Sequence, residues 1–155
     1  MASQLNWQLK KFEELTPYEL YEIIWLRNEV FVVEQNCVFQ DADHKDEKGW
    51  HLMGWNNEKK LTAYCRLLPA GVSYSYVSIG RVVTNPAERN TGAGRELMQQ
   101  AIAFCENLFG KSDIKIGAQY YLKDFYGSLG FTQTSEIYLE DGIEHIEMIL
   151  YGDTK

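Results

Sequence analysis

The stretch that most constrains this chain runs from Ile79 to Phe109. It reads Ile79-Gly-Arg-Val-Val-Thr84, then Asn85-Pro-Ala-Glu88, then Arg89-Asn-Thr-Gly-Ala-Gly94, and then a helical pattern. Val82 and Val83 are β-branched and follow a run rich in Tyr, Ser and Val, which predicts a strand. Asn85-Pro86 is a turn signal that ends it. Beyond Gly94, Leu97, Met98, Ala101, Ile102, Cys105 and Leu108 recur at helical spacing and form one apolar face. The first turn of any helix carries backbone N–H groups without intrahelical partners, and the helix dipole adds positive potential there. Glycines let a bulky anion approach the backbone, and Arg89 and Arg95 flank the loop with fixed charge. The chemistry implied is phosphate or pyrophosphate binding. The plain alternative is a glycine-rich turn that only starts a helix.

Two familiar phosphate loops are excluded. The chain has no G-x-x-x-x-G-K-[ST], and no G-x-G-x-x-G opening a first β-α unit with an acidic residue on the next strand. What remains is R-x-x-G-x-G after a mid-chain strand. A net charge of −7 and a pI near 5.0 argue against nonspecific binding to nucleic acid or anionic membranes, and permit a cationic substrate. No charged-then-apolar leader and no bilayer-length apolar run is present, so a cytoplasmic protein is the expectation. Three cysteines, Cys37, Cys65 and Cys105, lack C-x-x-C spacing, so neither a disulfide framework nor a metal site is expected.

With 155 residues and 45% hydrophobic content, the chain suits one domain, residues 1–155, with a sizeable core. Trp7 to Phe12 alternates like a half-buried first strand. Thr16-Pro17-Tyr18-Glu19 offers an N-cap, Pro at N1 and a capping-box Glu, so a helix should run to about Phe31. Arg27 falls on that helix's apolar stripe. It either pairs with a core carboxylate or lines a site beneath the helix. Glu34 to Asp46 is a polar connection with three aspartates but without the pattern of a calcium loop; it reads as a loop, with room for a short helix, beside a substrate entrance. Strands follow at Trp50–Trp55, Leu61–Leu68 and about Tyr74–Val83. In the second of these, Thr62, Tyr64 and Arg66 share one face, and Leu61, Ala63, Cys65 and Leu67 the other. After the main helix come a strand at about Ile114–Ala118, a helix at about Tyr120–Leu129, a strand from about Phe131 and a last strand at about Ile143–Leu150. The order suits a mixed α/β sheet with helices on both faces.

A second motif, Phe125-Tyr-Gly-Ser-Leu-Gly-Phe131, lies about thirty residues after the first, with Gly130 as a C-terminal helix cap. F-Y-x-x-x-G-F after R-x-x-G-x-G resembles the two cofactor motifs of the GNAT family, the Gcn5-related N-acetyltransferases. Leu26 to Gln35, Ala63 to Arg66, Ile79 to Val82, Gly117 to Gln119 and Glu140 to Met148 resemble its ElaA-like branch. One departure is Asn90, where many GNAT loops carry glycine. The resemblance implies a GNAT domain whose mixed sheet splays around the cofactor's pantetheine arm, with acetyl-CoA as cofactor. It implies no acceptor.

The expected reaction is acetyl transfer from acetyl-CoA to a primary amine of a small molecule or protein, by direct attack in a ternary complex. The alternatives are an acyltransferase that uses a longer acyl-CoA, and a non-catalytic CoA- or acyl-CoA-binding sensor or interaction module on the same fold. By resemblance Tyr126 is the general acid. Val82 or Val83 offers an N–H to polarise the thioester, and Asn90, Thr91, Gly92, Ala93, Gly94 and Arg95 hold the pyrophosphate. Arg89, Gln119 and Phe125 complete the cofactor contacts. The candidate bases are Glu34, His51, His145 and Glu140. Three have a plain structural reading: an ion pair of Glu34 with Arg27, a satisfied strand histidine at His51, a solvated turn around Glu140. Arg27, Arg66 and Glu140 are the candidates for lining the acceptor side. An acyl carrier at Cys37 or Cys65 would need an adjacent base that the sequence does not supply. The final strand and the aromatic surface also leave room for a homodimer.

Overall fold

The structure is a computed structural model, and residues 4–152 are described. In chain order the elements are β1 (Asn6–Lys11), α1 (Pro17–Arg27), β2 (Trp50–Trp55), β3 (Leu61–Leu68), β4 (Val77–Thr84), α2 (Ala93–Phe109), β5 (Ile114–Gln119), α3 (Lys123–Ser128), β6 (Thr132–Gln133), β7 (Tyr138–Glu140) and β8 (Ile143–Leu150). The strands form one sheet in the order β1-β2-β3-β4-β5-β8-β6, with β7 also paired to β8. Every pairing is antiparallel except β4 with β5.

Each face of this sheet has its own core. α2 lays Leu97, Met98, Ala101 and Cys105 against Ala63, Cys65, Leu67, Ile114, Ile116 and Met148. On the opposite face, Ile23, Leu26 and Val30 pack on Met53, Tyr64 and Val83. All of β3 is buried, because both of its faces are covered. Leu61 departs from the expected alternation and joins the α1-side cluster. A register shift between Gly54 and Trp55 at that end of the β2–β3 pairing accounts for the change of face.

α1 starts as the sequence predicts: Thr16 Oγ1 accepts from the Glu19 N–H, and Glu19 accepts from the Thr16 N–H. It ends differently. After Arg27 the chain winds on through Asn28–Glu34 with wider i to i−5 bonds, such as Gln35 N–H to Val30 O at 3.1 Å and Cys37 N–H to Val32 O at 3.0 Å. β4 begins at Val77, later than the Tyr74 expected. The helix predicted from Tyr120 opens with a 3₁₀ turn over Tyr120–Leu122. The strand expected from Phe131 is only Thr132–Gln133. β7 was not foreseen; it forms a hairpin with β8 through Asp141 and Gly142, at φ +51° and +79°, the backbone of a type I′ turn.

The feature that positions the site is the pairing of β4 with β5. It holds only for Val77–Ile114 and Ser78–Lys115, and then the two strands part. On the β3 side, Tyr64 pairs with Val83 and Arg66 with Gly80, so Arg81 and Val82 together face Cys65. That is a β-bulge, which bends its strand. Arg81 adopts φ +51° within it. The sheet therefore opens as a V between β4 and β5.

Candidate active site

The V is the floor of a cleft of about 680 Å³. Ile79 to Thr84 of β4 form one wall and Ile116 to Gln119 of β5 the other. Glu88, Arg89, Asn90 and Gly92 to Arg95 lie at one end, Thr91 instead turns its hydroxyl to Glu88 O at 2.7 Å, and Glu140, Asp141, Ile143 and His145 also line the cleft. Beyond Ser78, β4 has no ladder partner on its β5 side, so its backbone groups there face the opening.

The anion end is built from the glycine loop. Gly92 caps α2 at φ +86°, and Asn90 sits at φ +66°, which Asn tolerates better than most residues. Glu96 N–H to Gly92 O, 3.1 Å, is the first turn's intrahelical bond, so the amides just before it stand at the open helix end. A Cβ at Gly92 would meet nothing within 4 Å; its backbone angle, not crowding, calls for glycine. The Arg95 guanidinium lies 5.5 Å over the Phe125 ring and donates to Ser128 Oγ at 2.9 Å, which ties the two sequence motifs together. Arg89 is held bidentately by Glu34 at 2.7 and 2.6 Å, each side chain 40% exposed. Hydrogen bonding from Arg89 keeps the Glu34 carboxyl below its ordinary range. Glu34 thus pairs with Arg89 and not with Arg27.

Tyr126 is 5% exposed and lines the cleft, edge-on to Phe125 at 5.1 Å and to Phe131 at 6.0 Å. Burial pushes its phenol above 10, so it stays protonated at neutral pH. Val82, Val83, Thr84, Gln119 and Phe125 also line the cleft. Gln119 exchanges reciprocal amide hydrogen bonds of 3.2 Å with Gln35, which joins the end of β5 to the wound segment after α1.

The base candidates separate. His51 is fully buried. Its Nε2 lies 2.9 Å from Asp46 O and must donate there, so its Nδ1 accepts from Tyr64 O–H at 2.7 Å. Burial pushes its pKa down, and it does not line the cleft. His145 does. Its Nδ1 lies 2.8 Å from Ile143 O, so in the neutral ring Nδ1 carries the hydrogen and Nε2 the lone pair. Nε2 is 3.8 Å from the Glu140 carboxylate.

Arg27 and Arg66, expected on the acceptor side, are turned away from the cleft into a buried charge network. Arg27, with no exposed surface, donates to Asp41 Oδ2 at 2.8 Å and Asp46 Oδ1 at 2.7 Å. Arg66 donates to Asp43 Oδ1 and Oδ2 at 2.8 and 2.9 Å and to Asp46 at 2.9 Å. Arg81 lies 2.9 Å from Asp41 and 3.3 Å from Asp43. The three aspartates of the loop are thus ion-paired with three arginines from α1, β3 and β4. Arg81 was missed by the sequence reading. The glycine inside a strand pattern at Gly80 was the available signal, since it marks a bulge. Cys65 is fully buried, which raises its thiol pKa well above the ordinary value. Cys37 reaches the cleft and donates to Asp141 O at 3.3 Å.

A mixed sheet that splays at its one parallel pair, with a glycine-capped helix at the mouth, defines an acyltransferase fold. The sequence profile of the acetyltransferase (GNAT) domain matches residues 27–151, and the chain belongs to that family. Protein ElaA of Escherichia coli is 40% identical over 146 residues, 93% of this chain and 95% of that protein. Its crystal structure superposes with a TM-score of 0.88 over 94% of this chain and 99% of that one. An acyl-CoA N-acyltransferase from Pseudomonas aeruginosa is 42% identical, with a TM-score of 0.89 over 94% and 99% of the two chains. An aminoglycoside 6′-N-acetyltransferase complexed with coenzyme A shares the fold at 12% identity, with a TM-score of 0.70 over 94% and 97%. No helix among the described residues is long and apolar enough to cross a membrane.

Proposed function

We propose that residues 1–155 form one N-acetyltransferase domain that transfers an acetyl group from acetyl-CoA to a primary amine by direct attack in a ternary complex. The observation that carries this reading is the separation of β4 from β5 after Ser78. It creates a backbone-lined channel leading inward from the open N-terminus of α2. The donor set suits the cofactor: free helix-end amides and arginines for a pyrophosphate, and strand-edge N–H and C=O groups for an amide-bearing arm. The coenzyme A held by the aminoglycoside enzyme of the same fold supports the choice of carrier.

When bound, acetyl-CoA supplies an activated thioester. In this reading the amides of Asn90 to Arg95 hold the pyrophosphate, with Arg89 within reach once it exchanges Glu34 for phosphate. The N–H of Val82 or Val83, at the bulge, would polarise the thioester carbonyl. An alkyl ammonium of pKa about 10.4 must lose a proton before its nitrogen can attack. His145 Nε2 takes that proton, with the ring oriented by Ile143 O and the resulting cation supported by Glu140. Tyr126 would give its proton to the sulfur and regain one from the nitrogen, which sheds a second proton in becoming an amide. His51, Arg27 and Arg66 have no part in these steps.

The test joins binding to turnover. Acetyl-CoA should raise the melting temperature, because it binds the native state. Thiol release should then depend on an added amine. Absence of any shift at millimolar ligand would defeat the assignment of the carrier, and thiol release that ignores every amine would defeat direct transfer.

A further inference from the structure

We infer that the end of the cleft opposite the glycine loop seats a short aliphatic diamine or polyamine, an acceptor with a second cation and no carboxylate. This deepens the acetyltransferase reading and rests on it for the word acceptor, though not for the binding itself. The argument begins at His145. The residue is 8% exposed, lines the cleft, and has Nδ1 committed to Ile143 O at 2.8 Å. Its Nε2 has the Glu140 carboxylate at 3.8 Å, beyond hydrogen-bonding distance. In the neutral ring this nitrogen keeps its lone pair, no side chain or backbone group among the described residues donates to it, and it belongs to a residue that lines the cleft, so a ligand N–H can reach it. An amine offers that N–H, and a carboxylate cannot.

The charges along the cleft run the same way. At the glycine-loop end stand Arg89 and Arg95. At the other end the lining cation is Arg81, which already faces Asp41 and Asp43. Glu140 is 59% exposed, and among the described residues its one cationic partner within 4 Å is His145, should that ring be protonated. A ligand ammonium thus finds a carboxylate and an imidazole, whereas a ligand carboxylate finds a cation already paired.

Gly117, which lines the cleft, has two phenols beside it. Gly117 is exposed in β5, and a Cβ there would lie 2.9 Å from Tyr74 Oη and 3.3 Å from Tyr138 Oη, so two phenol oxygens converge on bare strand. Burial, with Tyr74 and nearby carboxylates, pushes the Tyr138 phenol up to about 12, which keeps it neutral. Tyr138 also stacks on His145 at 5.9 Å. The Cys37 thiol donates to Asp141 O, tying the loop after α1 to the β7–β8 turn at this end.

The experiment titrates the full chain, with and without coenzyme A, at low salt against 1,4-diaminobutane, butylamine, 4-aminobutanoate and a Lys-Arg dipeptide amide. The diamine should bind tightest, with roughly tenfold separating it from 4-aminobutanoate, the order expected of one well-placed charge pair. Glu140→Gln, at an exposed site, should compress that gap without loss of fold, and high salt should do the same. Equal affinity for diamine and amino acid, no measurable diamine binding at millimolar concentration, or an unchanged gap in Glu140→Gln would each overturn the inference. Tighter binding of the dipeptide would overturn it too, in favour of a polypeptide acceptor. Coenzyme A affinity is read in the same titrations. Its absence would count against the acetyltransferase reading while the amine ranking on the free protein remains readable.

Discussion

Arg81 and Asp41 stand 2.9 Å apart across the point where β4 leaves the sheet. Asp41 is 4% exposed, and its carbonyl oxygen also accepts from Arg81 Nη2 at 2.9 Å. The same aspartate binds Arg27 beneath α1. The bulge that opens the cleft and the helix that covers the sheet are therefore fastened to one loop. That loop is held by charge inside the protein, where removing one partner is expensive even though the assembled network contributes little net stability.

Arg81→Gly separates the two things this residue does. Arginine at φ +51° is strained by about 1 kcal/mol, which glycine relieves. The substitution also removes the tether to Asp41 and Asp43. We expect a lower melting temperature, because the relieved strain offsets only part of the lost pairing with Asp41 and Asp43, and acetyl-CoA affinity within a few-fold. We expect kcat lower by roughly tenfold or more, because the bulge N–H groups lose their fixed aim. Arg81→Lys should not restore kcat, since it keeps the charge but lacks the guanidinium fork. Full activity in Arg81→Gly would show that the bulge holds its shape unaided.

Glu34 and Arg89 form a pair that the cofactor must share or break. Both side chains are 40% exposed, so the bond is worth no more than about 1 kcal/mol. Glu34→Gln frees Arg89 for phosphate, and the Kd for acetyl-CoA should fall by up to about fivefold. Weaker binding in the variant, measured by calorimetry, would mean that Glu34 positions Arg89 for the cofactor instead of competing with it.

The sequence was most legible where local chemistry decides the structure. The capping box at Thr16 and Glu19, the limits of β2, β3 and β8, and the glycine cap of α2 all follow from residue type and spacing. What stayed hidden depends on residues distant in the chain. Arg27 on an apolar stripe announced that it needed a partner. Nothing local said that the partners were Asp41 and Asp46, or that Arg66 and Arg81 would share them. His51 and His145 look alike in sequence, each within a strand pattern. They differ because β2 is covered by α1 and its loop, whereas β8 borders the cleft. β7 is too short to show a period, and is made a strand by its pairing with β8.

The charge network sets the response to acid. Burial opposes ionisation of Asp43 and Asp46, yet hydrogen bonds and charge from Arg66 at Asp43, and from Arg27 and Arg66 at Asp46, more than offset it. Both carboxyls end below their ordinary range. A carboxyl with a depressed folded pKa adds stability that is fully present above the unfolded value of about 3.9 and is lost as pH falls through the folded value. His51 acts higher on the scale. Burial lowers its pKa, so below about 6.5 the unfolded chain takes up a proton that the folded one resists. Urea denaturation should show stability falling gently from pH 7 to 5 and steeply below 4. Asp46→Asn should cost about 3 kcal/mol at pH 7, by leaving Arg27 and Arg66 short of a partner in the interior. A loss below 1 kcal/mol would show that Asp41 and Asp43 suffice.

Tyr126→Phe tests the acid directly. Phenylalanine keeps the ring contacts with Phe125 and Phe131 and removes only the hydroxyl, so folding and cofactor affinity should hold. Burial raises the phenol above 10, which makes it a weaker acid in isolation. The same low-dielectric surroundings also disfavour a thiolate, whose ordinary pKa is about 8.5, so the proton still has reason to move from oxygen to sulfur. The expected loss is about a hundredfold in kcat, the lower range for a positioned general acid, with KM nearly constant. The diagnostic is the leaving group. An acetyl thioester of a more acidic thiol needs less help in departing, so it should recover much of the lost rate in Tyr126→Phe and little in the parent. Equal recovery in both proteins would assign Tyr126 to packing and leave the protonation of sulfur to water.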